Sequence, residues 1–268
     1  AAIDTDKKVA VIGGGPAGLS AAYHLRKLGH SVTIFDAHKE LGGMMRYGIP
    51  GYRTPREMLD SEIGRIINMG VEVKTSTRIG TDIAMEKIDD DFDAVFWGIG
   101  AQSGRPLPVP GADASNCITG VAFLDAYNQE RLQHVAGRVI VIGGGDTSID
   151  VASVARRLGN ITTTNENDRP ENIVLGYMAH DVASTAVREG AKVTLTSLFK
   201  FDDMMASARE REDAVSEGVD IKGGVMPLEV MLDEDGRARA LKMCKCDMDG
   251  TKPVAIEGTE FELECDLI

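Results

Sequence analysis

Short apolar runs flank a stretch of helical periodicity near the start of the chain. Lys8–Ile12 and Ser31–Phe35 are rich in valine and isoleucine, as is typical of strands buried in a parallel sheet. Between them, apolar residues recur at helical spacing over residues 19–28, and Gly29 follows as an expected helix C-cap. A strand, a helix and a strand within about 30 residues predict one βαβ unit.

Similar elements follow over the next part of the chain. After a polar, glycine-rich stretch over residues 38–55, the pattern predicts a helix over 56–69 and strands over 71–73 and 92–97. Three prolines and two glycines in residues 104–114 then indicate a crossover between domains. At roughly 150 residues per domain, a chain of 268 residues is long enough for about two domains.

The strand–glycine–helix pattern restarts in the second half of the chain. Arg138–Ile142 predicts a strand, and a glycine cluster and a helix over 147–158 follow it. Residues 160–180 are polar and irregular, so we interpret them as an inserted surface excursion, either a solvated loop or a docking element. A helix over 181–189 and a strand over 191–197 are predicted after it.

The C-terminal part, residues 228–268, predicts β-hairpins. Aspartate and glycine indicate turns at 233–236 and 247–250. The sequence stops in ELECDLI, an apolar run that is typical of the start of a buried strand. We therefore expect the chain to be a fragment of a longer protein.

The first glycine cluster matches the G-x-G-x-x-G pattern of dinucleotide-binding folds. In that pattern the first glycine makes a sharp turn, the second admits a pyrophosphate, and the third lets the helix pack against the strand. Gly13, Gly15 and Gly18 occupy these positions, and N–H groups at the helix start would bind the phosphates. Asp36 ends the second strand, where a carboxylate can accept hydrogen bonds from a ribose. Together these residues predict a dinucleotide site.

The second glycine cluster has Gly143 and Gly145, with the small residue Ser148 in the third position. It too follows a strand and begins a helix, so we predict a second dinucleotide-binding fold. Two dinucleotides in one chain indicate hydride transfer between a nicotinamide and a flavin, which accepts two electrons and can release them singly.

The net charge and the cysteine content limit the kinds of partner and metal site that the chain is expected to have. With a formal charge of −13, the chain is not expected to bind nucleic acid or an anionic membrane through its overall field. The charge indicates a well-solvated surface or, as an alternative, docking of a basic partner. No two of the four cysteines have C-x-x-C spacing, and Cys244 and Cys246 alone are too few ligands for a zinc or iron–sulfur site, so no metal site is predicted. Scattered cysteines, no apolar run of about 20 residues and no signal peptide predict a cytoplasmic protein.

Three long runs resemble the glutamate synthase small-subunit family of FAD-dependent NAD(P)H oxidoreductases. They are GGGPAGLSAAYHLRKLGHSVTIFD, LGGMMRYGIPGYRTPREMLDSEI and VIGGGDTSIDVASVARRLG. Members of this family are also found as modules of dihydropyrimidine dehydrogenase and of electron-bifurcating transhydrogenases. The resemblance implies an α/β fold of two Rossmann-like dinucleotide-binding domains, similar to the pyridine nucleotide-disulfide oxidoreductases but without a redox disulfide, with the NAD(P) domain inserted in the FAD domain.

On this basis we predict three domain segments. Residues 1–112 form the N-terminal part of the FAD domain, and residues 113–260 form the NAD(H) domain, with the insertion at about 160–180. Residues 261–268 return to the FAD domain, which is truncated there.

The resemblance also implies a set of cofactor-binding residues in and around both glycine clusters. For FAD they are Gly13, Gly15, Pro16, Ala17, Gly18, Asp36, Gly42, Gly43, Met44, Arg46, Arg53, Gly98, Gly100 and Gln102, and for the nicotinamide dinucleotide they are Gly143, Gly144, Gly145, Asp146 and Thr147. Core packing is the alternative for Met44 and Met45, and a solvated charge is the alternative for Arg46. We assign no catalytic residue, because hydride transfer requires alignment and exclusion of water rather than a side-chain acid or base.

The chain departs from the family pattern where NADPH-using members carry paired arginines that bind the 2′-phosphate. Leu198 and Phe199 stand at those positions, and Asp202 and Asp203 follow, with Lys200 as the one cation of this stretch. Carboxylates repel a 2′-phosphate and tolerate a 2′-hydroxyl, whereas guanidinium groups bind the phosphate. We therefore expect NADH to be preferred over NADPH.

The expected partner is an iron–sulfur protein or domain. Family members carry [4Fe-4S] clusters in an N-terminal cysteine-rich segment that this chain does not contain, so electrons would leave the flavin one at a time to other segments or to a partner. The flavoprotein partner of dissimilatory sulfite reductase is the narrower hypothesis. The alternatives are an NADPH-dependent glutamate synthase small subunit, a non-catalytic dinucleotide-binding scaffold and a disulfide reductase, which would need the missing C-x-x-C pair.

Overall fold

The computed structural model describes residues 4–158, 169–174 and 190–268, and the chain divides into two units, Ala1–Gln102 and Ser103–Ile268. The helices in the described part are α1 Pro16–Lys27, α2 Met44–Tyr47, α3 Arg56–Ile67, α4 Met85–Asp91, α5 Gly120–Asn128, α6 Asp146–Arg157, α7 Pro170–Val174 and α8 Ala208–Ser216. The strands there are β1 Lys8–Ile12, β2 Ser31–Phe35, β3 Glu72–Lys74, β4 Ala94–Trp97, β5 Arg138–Ile142, β6 Lys192–Ser197, β7 Asp220–Gly223, β8 Val225–Leu232, β9 Ala238–Asp249, β10 Lys252–Ala255 and β11 Phe261–Glu264.

The first unit is built on a parallel four-stranded sheet with the order β3-β2-β1-β4. Alternate residues of a strand point to opposite faces, so a strand covered on both faces is apolar throughout. Val11 and Ile34 are fully buried in a cluster that includes Leu19 of α1, and Ala10 and Phe35 pack on the other face with Ile88 of α4. The predictions of β1 and β2 are confirmed at both ends.

Pro16 and Gly29 explain where α1 begins and ends. Pro16 opens the helix at a position whose N–H would have no helical partner. Gly29 adopts a φ of +91° just after the C-cap residue Leu28, and its N–H donates to the carbonyl of Arg26. Because glycine takes positive φ without a steric penalty, the predicted C-terminal stop is confirmed.

In the turn between β1 and α1, main-chain atoms contact one another directly, with no side chain between them. The N–H of Gly13 donates to the carbonyl of Phe35 at 2.8 Å, which ties the turn to β2. A Cβ at Gly18 would overlap the carbonyl oxygen of Gly13, so α1 reaches this position against β1 only without a side chain there. This is the helix–strand packing that the third glycine of the sequence pattern predicts.

The second unit contains two sheets. β5, β6 and β7 form a parallel sheet, and Leu267 pairs with Val139 in an isolated parallel bridge along β5. In the other sheet the long strand β9 pairs with β8 along one edge, while β10 and β11 share its other edge, all antiparallel. Gly236 and Gly250 take positive φ at the two predicted hairpin turns.

The two compact units do not coincide with the domain segments expected from sequence, and those segments stay a prediction. The units divide after Gln102 rather than after residue 112, and residues 261–268 group with the second unit. They do so because β11 pairs with β9 and Leu267 pairs with Val139. The assignment of each unit to one cofactor stays a prediction.

Among the helices of the described residues, five were not expected from the sequence: α2, α4, α5, α7 and α8. α8 is the most polar of the longer helices, and a helix with few apolar residues leaves little periodicity to detect. Most of the predicted insertion, and the helix expected over 181–189, lie outside the described residues, although α7 falls within the insertion. No helix in the described part is long and apolar enough to cross a membrane.

An aspartate holds the main chain at the start of the first strand of each parallel sheet, and we call this arrangement an aspartate clamp. Asp93 donates its N–H to the carbonyl of Lys8, and its carboxylate accepts the N–H of Lys8 at 2.8 Å. Asp266 does the same with Arg138, whose N–H it accepts at 2.9 Å. Asp93 directly precedes β4, and Asp266 directly precedes Leu267, which bridges to Val139, so in each case an aspartate fixes the register beside the first strand.

The substitution Asp93→Asn tests the first clamp. Hydrogen bonds from the side chain of Lys7 and the N–H of Lys8 lower the pKa of Asp93 below its ordinary value of 3.8. The ionised carboxylate therefore stabilises the fold above about pH 4, and this contribution is lost as the pH falls through the lowered pKa. We expect D93N to lower the thermal unfolding midpoint by about 1–2 °C at pH 7, a small effect because the pair is exposed.

The difference between D93N and the parent should vanish towards about pH 2, where both side chains are neutral. Asp90→Asn, a neighbouring exposed aspartate in α4, is the control and should match the parent at every pH. A D93N difference that is independent of pH would contradict the clamp.

The close packing of α1 gives a second prediction. Gly18→Ala places a methyl group against the Gly13 carbonyl, and overpacking of this kind costs about 1–3 kcal/mol. Gly64→Ala in α3 meets no atom within 4 Å and should instead stabilise by roughly 0.5–1 kcal/mol, because alanine favours helix. Calorimetry of both variants checks the opposite signs, and equal effects would contradict the packing argument.

Candidate dinucleotide-binding sites

The N-terminus of α1 is open to an anion. Its N-cap is Gly15, no side chain caps it, and its first turn holds no acidic residue. The first N–H groups of a helix lack helical partners and carry the positive end of the helix dipole. Phosphate oxygens can accept hydrogen bonds from these N–H groups, and their negative charge is stabilised by the dipole. The loop over residues 13–18 therefore has the chemistry of a phosphate site.

Asp36 lies directly beside this loop. Its Oδ2 accepts the N–H of Gly14 at 2.6 Å, and its Oδ1 accepts the N–H of His38 at 2.8 Å. The side chain of His38 approaches the same carboxylate, with Nδ1 3.3 Å from Oδ1. The carboxylate is buried and held at the end of β2, and each oxygen keeps a further lone pair for a ligand hydroxyl.

The glycine pair of the 38–55 stretch packs against the first loop. The N–H of Gly42 donates to the carbonyl of Gly14 at 2.8 Å. Gly43 has a φ of +51°, and a Cβ there would lie 2.7 Å from the α-carbon of Gly15. The structure thus brings these two predicted site residues to the loop, and a side chain on Gly43 would displace it.

Arg46 is buried and fully engaged by protein atoms. Its Nε donates to the carbonyl of Leu41 at 2.6 Å, and its guanidinium pairs with Asp60 and lies 3.8 Å from Glu40. Only 9% of the residue is exposed, so the alternative of a solvated charge is wrong. Direct contact between Arg46 and a flavin stays a prediction.

The other residues predicted for FAD are less closely tied to the loop. Met44 is half-buried, and Arg53 is exposed in a turn where its N–H donates to the carbonyl of Pro50. Gly100 has a φ of +65° and belongs with Gln102 to an exposed turn. Their roles, like those of Pro16 and Ala17 in the first turn of α1, remain predictions.

Gly98 connects β4 to the first loop. Its N–H donates to the carbonyl of Ile12 at 2.8 Å, and a Cβ there would lie 3.1 Å from the amide nitrogen of Gly18. β4 therefore delivers the chain to the back of the loop, as the resemblance implies for residues 98–102.

The second loop has the same geometry at its start. Gly143 has a φ of +143°, and its N–H donates to the carbonyl of Thr196 at 2.9 Å, as Gly13 donates to Phe35. A Cβ on Gly143 would overlap the Ser148 hydroxyl, so Ser148 packs where the third glycine of the pattern stands.

The N-terminus of α6 is also without a side-chain cap. Gly145 is its N-cap, and a Cβ there would meet no atom within 4 Å. Asp146 and Thr147 in the first turn are exposed, and the carboxylate of Asp146 adds a negative charge that a phosphate would have to tolerate. Gly143, Gly144 and Gly145 are therefore the stronger candidates.

The two units differ at the end of the second strand. Ile142 pairs with Thr196 as Ile12 pairs with Phe35, so Ser197 stands at the register position of Asp36. Ser197 is buried, and its hydroxyl accepts the N–H of Phe199 at 3.1 Å. Sequence reasoning missed Ser197, although the strand register could have found it. The second unit thus has no carboxylate at its ribose position.

Arg211 of α8 was also missed. It is 7% exposed, and it donates to the carbonyls of Met204 at 2.9 Å and Ala206 at 2.6 Å. Its guanidinium also lies over the ring of Phe201 at 5.2 Å. Nothing in a polar helix signals that one arginine among several is buried, so only the fold identifies it.

The cysteines form no disulfide. All four are free thiols, and burial raises the pKa of Cys117 to about 11 and of Cys265 to about 12. Because the thiolate is the reactive form, these thiols are inert at neutral pH. In the described part of the chain, no group of three or more His, Cys, Asp or Glu side chains could hold a metal ion.

Comparison with known proteins adds to this geometry. The chain is 35% identical over 276 residues to the NADP(+)-dependent formate dehydrogenase subunit beta of Moorella thermoacetica, covering 100% of this chain and 35% of that protein. It is 30% identical to the glutamate synthase [NADPH] small chain of Mycobacterium tuberculosis, covering 98% of this chain and 52% of that protein. The chain thus spans between a third and about half of the length of these relatives.

A solved structure shows the fold. Mycobacterium tuberculosis FprA in complex with NADPH superposes with a TM-score of 0.74 at 18% identity, over 98% of this chain and 69% of that one. This confirms the predicted α/β fold with two dinucleotide-binding domains. The profile of the pyridine nucleotide-disulphide oxidoreductase family matches residues 7–267. With an open helix N-terminus after each glycine loop and a family match over nearly its whole length, the chain belongs to the pyridine nucleotide-disulphide oxidoreductase family.

Proposed function

We propose that the chain is the dinucleotide-binding module of an FAD-dependent NAD(P)H oxidoreductase that passes electrons to an iron–sulfur acceptor. The observation that carries this proposal is the repetition of one site: two glycine loops, each tied to its second strand by the same hydrogen bond and each opening an uncapped helix. A single nucleotide-binding function would need one such loop.

The residues of the first unit fit a flavin dinucleotide. The uncapped start of α1 can take the pyrophosphate, and Asp36 can take a ribose diol. Gly43 packs on Gly15 with no side chain between them, which holds the loop in place at this site. When bound, FAD supplies two-electron acceptance from a nicotinamide and one-electron release to an acceptor.

The second loop fits the nicotinamide dinucleotide, and we propose a preference for NADH. Asp202 and Asp203 are exposed just beyond the end of β6, where they would repel a 2′-phosphate. The nearby guanidinium of Arg211 is buried and engaged by main-chain carbonyls, so it offers no fork to a phosphate.

Ser197 is neutral at the ribose position, so no carboxylate there selects the 2′-hydroxyl. The relatives named above carry NADP in their names. We therefore assign the discrimination between NADH and NADPH to Asp202 and Asp203 alone.

We also propose an electron acceptor and a cellular location. The relatives named above are a subunit of a formate dehydrogenase and the small chain of a glutamate synthase, which supports a module that works with other subunits, and we keep an iron–sulfur protein or domain as its partner. Four free, inert thiols are compatible with the cytoplasm, the proposed location.

An anaerobic titration tests the activity. The purified chain is loaded with FAD, and NADH or NADPH is added while flavin absorbance is followed at about 450 nm. We expect bleaching by NADH at a several-fold lower concentration than by NADPH. Retention of FAD without bleaching by either nucleotide would favour the non-catalytic scaffold, and equal bleaching would contradict only the preference.

The double substitution Asp202→Asn and Asp203→Asn tests the origin of the preference. Removing two charges near the 2′-phosphate should lower the half-saturating NADPH concentration by about fivefold and leave that for NADH within about twofold. The double substitution Asp89→Asn and Asp90→Asn, at two exposed aspartates of the first unit, is the matched charge control. Equal changes for the two nucleotides would show that the pair does not discriminate.

A further inference from the structure

In both units the glycine between the first two glycines of the pattern is held by its carbonyl oxygen. The carbonyl of Gly14 accepts the N–H of Gly42 at 2.8 Å, and the carbonyl of Gly144 accepts the N–H of Ala206 at 3.0 Å. In each unit the donor belongs to the segment that follows the second strand of the βαβ unit. We call each of these hydrogen bonds a carbonyl clasp.

A carbonyl clasp also orients the next amide. In a trans peptide the C=O and the following N–H point in opposite directions, and no cis peptide occurs in the described residues. Holding the carbonyl of Gly144 therefore turns the N–H of Gly145 to the opposite side. A Cβ on Gly145 would meet no atom within 4 Å, so the second loop is open at this position, whereas in the first loop a Cβ on Gly15 would lie 3.6 Å from the α-carbon of Gly43.

A buried arginine holds the donor segment in each unit. Arg46 donates to the carbonyl of Leu41, the residue before Gly42. Arg211 donates to the carbonyls of Met204 and Ala206, and thus to the donor residue itself. The two arginines are 9% and 7% exposed.

The two arginines differ in their charge balance. Arg46 pairs with Asp60 and lies near Glu40. Among the described residues no carboxylate pairs with Arg211, whose donors go to main-chain carbonyls, and its buried Nε has no partner there. Arg211 therefore carries a buried positive charge that no described carboxylate pairs with, one segment away from the second glycine loop.

We propose that Arg46 and Arg211 are positioning residues, one for each dinucleotide site. Each fixes the segment that clasps the loop carbonyl and thereby aims the amide of Gly15 or Gly145 at the ligand's pyrophosphate. The identity of the ligands rests on the function proposed above, whereas the clasp is a property of the protein alone.

The first experiment measures the clasp without any cofactor. Hydrogen exchange of the backbone amides is compared in the parent, Arg211→Gln and Arg46→Gln. We expect Arg211→Gln to accelerate exchange at Ala206 at least tenfold and to leave Gly42 unchanged, and Arg46→Gln to do the reverse. Unchanged exchange at both amides would overturn the proposal.

The second experiment measures binding by calorimetry, using NAD+ and nicotinamide mononucleotide, which lacks the bridging pyrophosphate. Arg211→Gln should weaken NAD+ binding about tenfold, the effect of about 1.4 kcal/mol, and change mononucleotide binding less than twofold. Arg211→Lys, which keeps the charge and can reach one carbonyl, should lie between. Arg209→Gln on the same helix, with a 91% exposed side chain, is the control and should bind as the parent does.

The first site is tested in parallel with FAD. Arg46→Gln should weaken FAD binding about tenfold, whereas Arg65→Gln, with a 74% exposed side chain in α3, should not. Equal loss of NAD+ and mononucleotide binding in Arg211→Gln would show a general structural defect and overturn the positioning role. If the parent bound no dinucleotide, the proposed function would fail, while the exchange data would still decide the clasp.

Discussion

The approach of the Gly18 α-carbon to the Gly13 carbonyl is the contact on which the first unit depends. Because no side chain separates them, α1 packs directly on the end of β1, and its N-terminus opens at the carboxyl edge of the sheet. Gly98 can then reach the amide of Gly18 from β4, and Gly43 can lie on Gly15 from the other side. The contacts of Gly98 and Gly43 with the loop depend on this close packing of Gly18 against Gly13, so a methyl group at Gly18 would displace the whole loop.

The second unit repeats this construction with different side chains. Ser148 replaces the third glycine, and its hydroxyl fills the space beside Gly143. The aspartate clamp at the start of the sheet recurs as Asp266 on Arg138. What is repeated is the main-chain hydrogen bonding, which explains why two loops with different third residues share one geometry.

Local devices have to bind anions in a chain with a charge of −13. Uncapped helix N-termini supply oriented N–H groups, and these are effective against the overall field because they act at hydrogen-bond distance. The buried Arg211 adds a positive charge that no described carboxylate neutralises. In the first unit Asp60 and Glu40 balance Arg46, so the two sites differ in charge although they share a fold.

The sequence by itself determined the strands β1, β2 and β5, the two glycine turns and the class of fold. It could do so because apolar runs, glycine spacing and a terminal acid are local signals whose meaning does not depend on distant residues. It did not determine that Arg46 and Arg211 are buried, that Ser197 stands at the register of Asp36, or that residues 261–268 pair within the second unit. Those facts arise from strand pairing and helix packing between segments far apart in the chain, and only the tertiary structure brings such segments together.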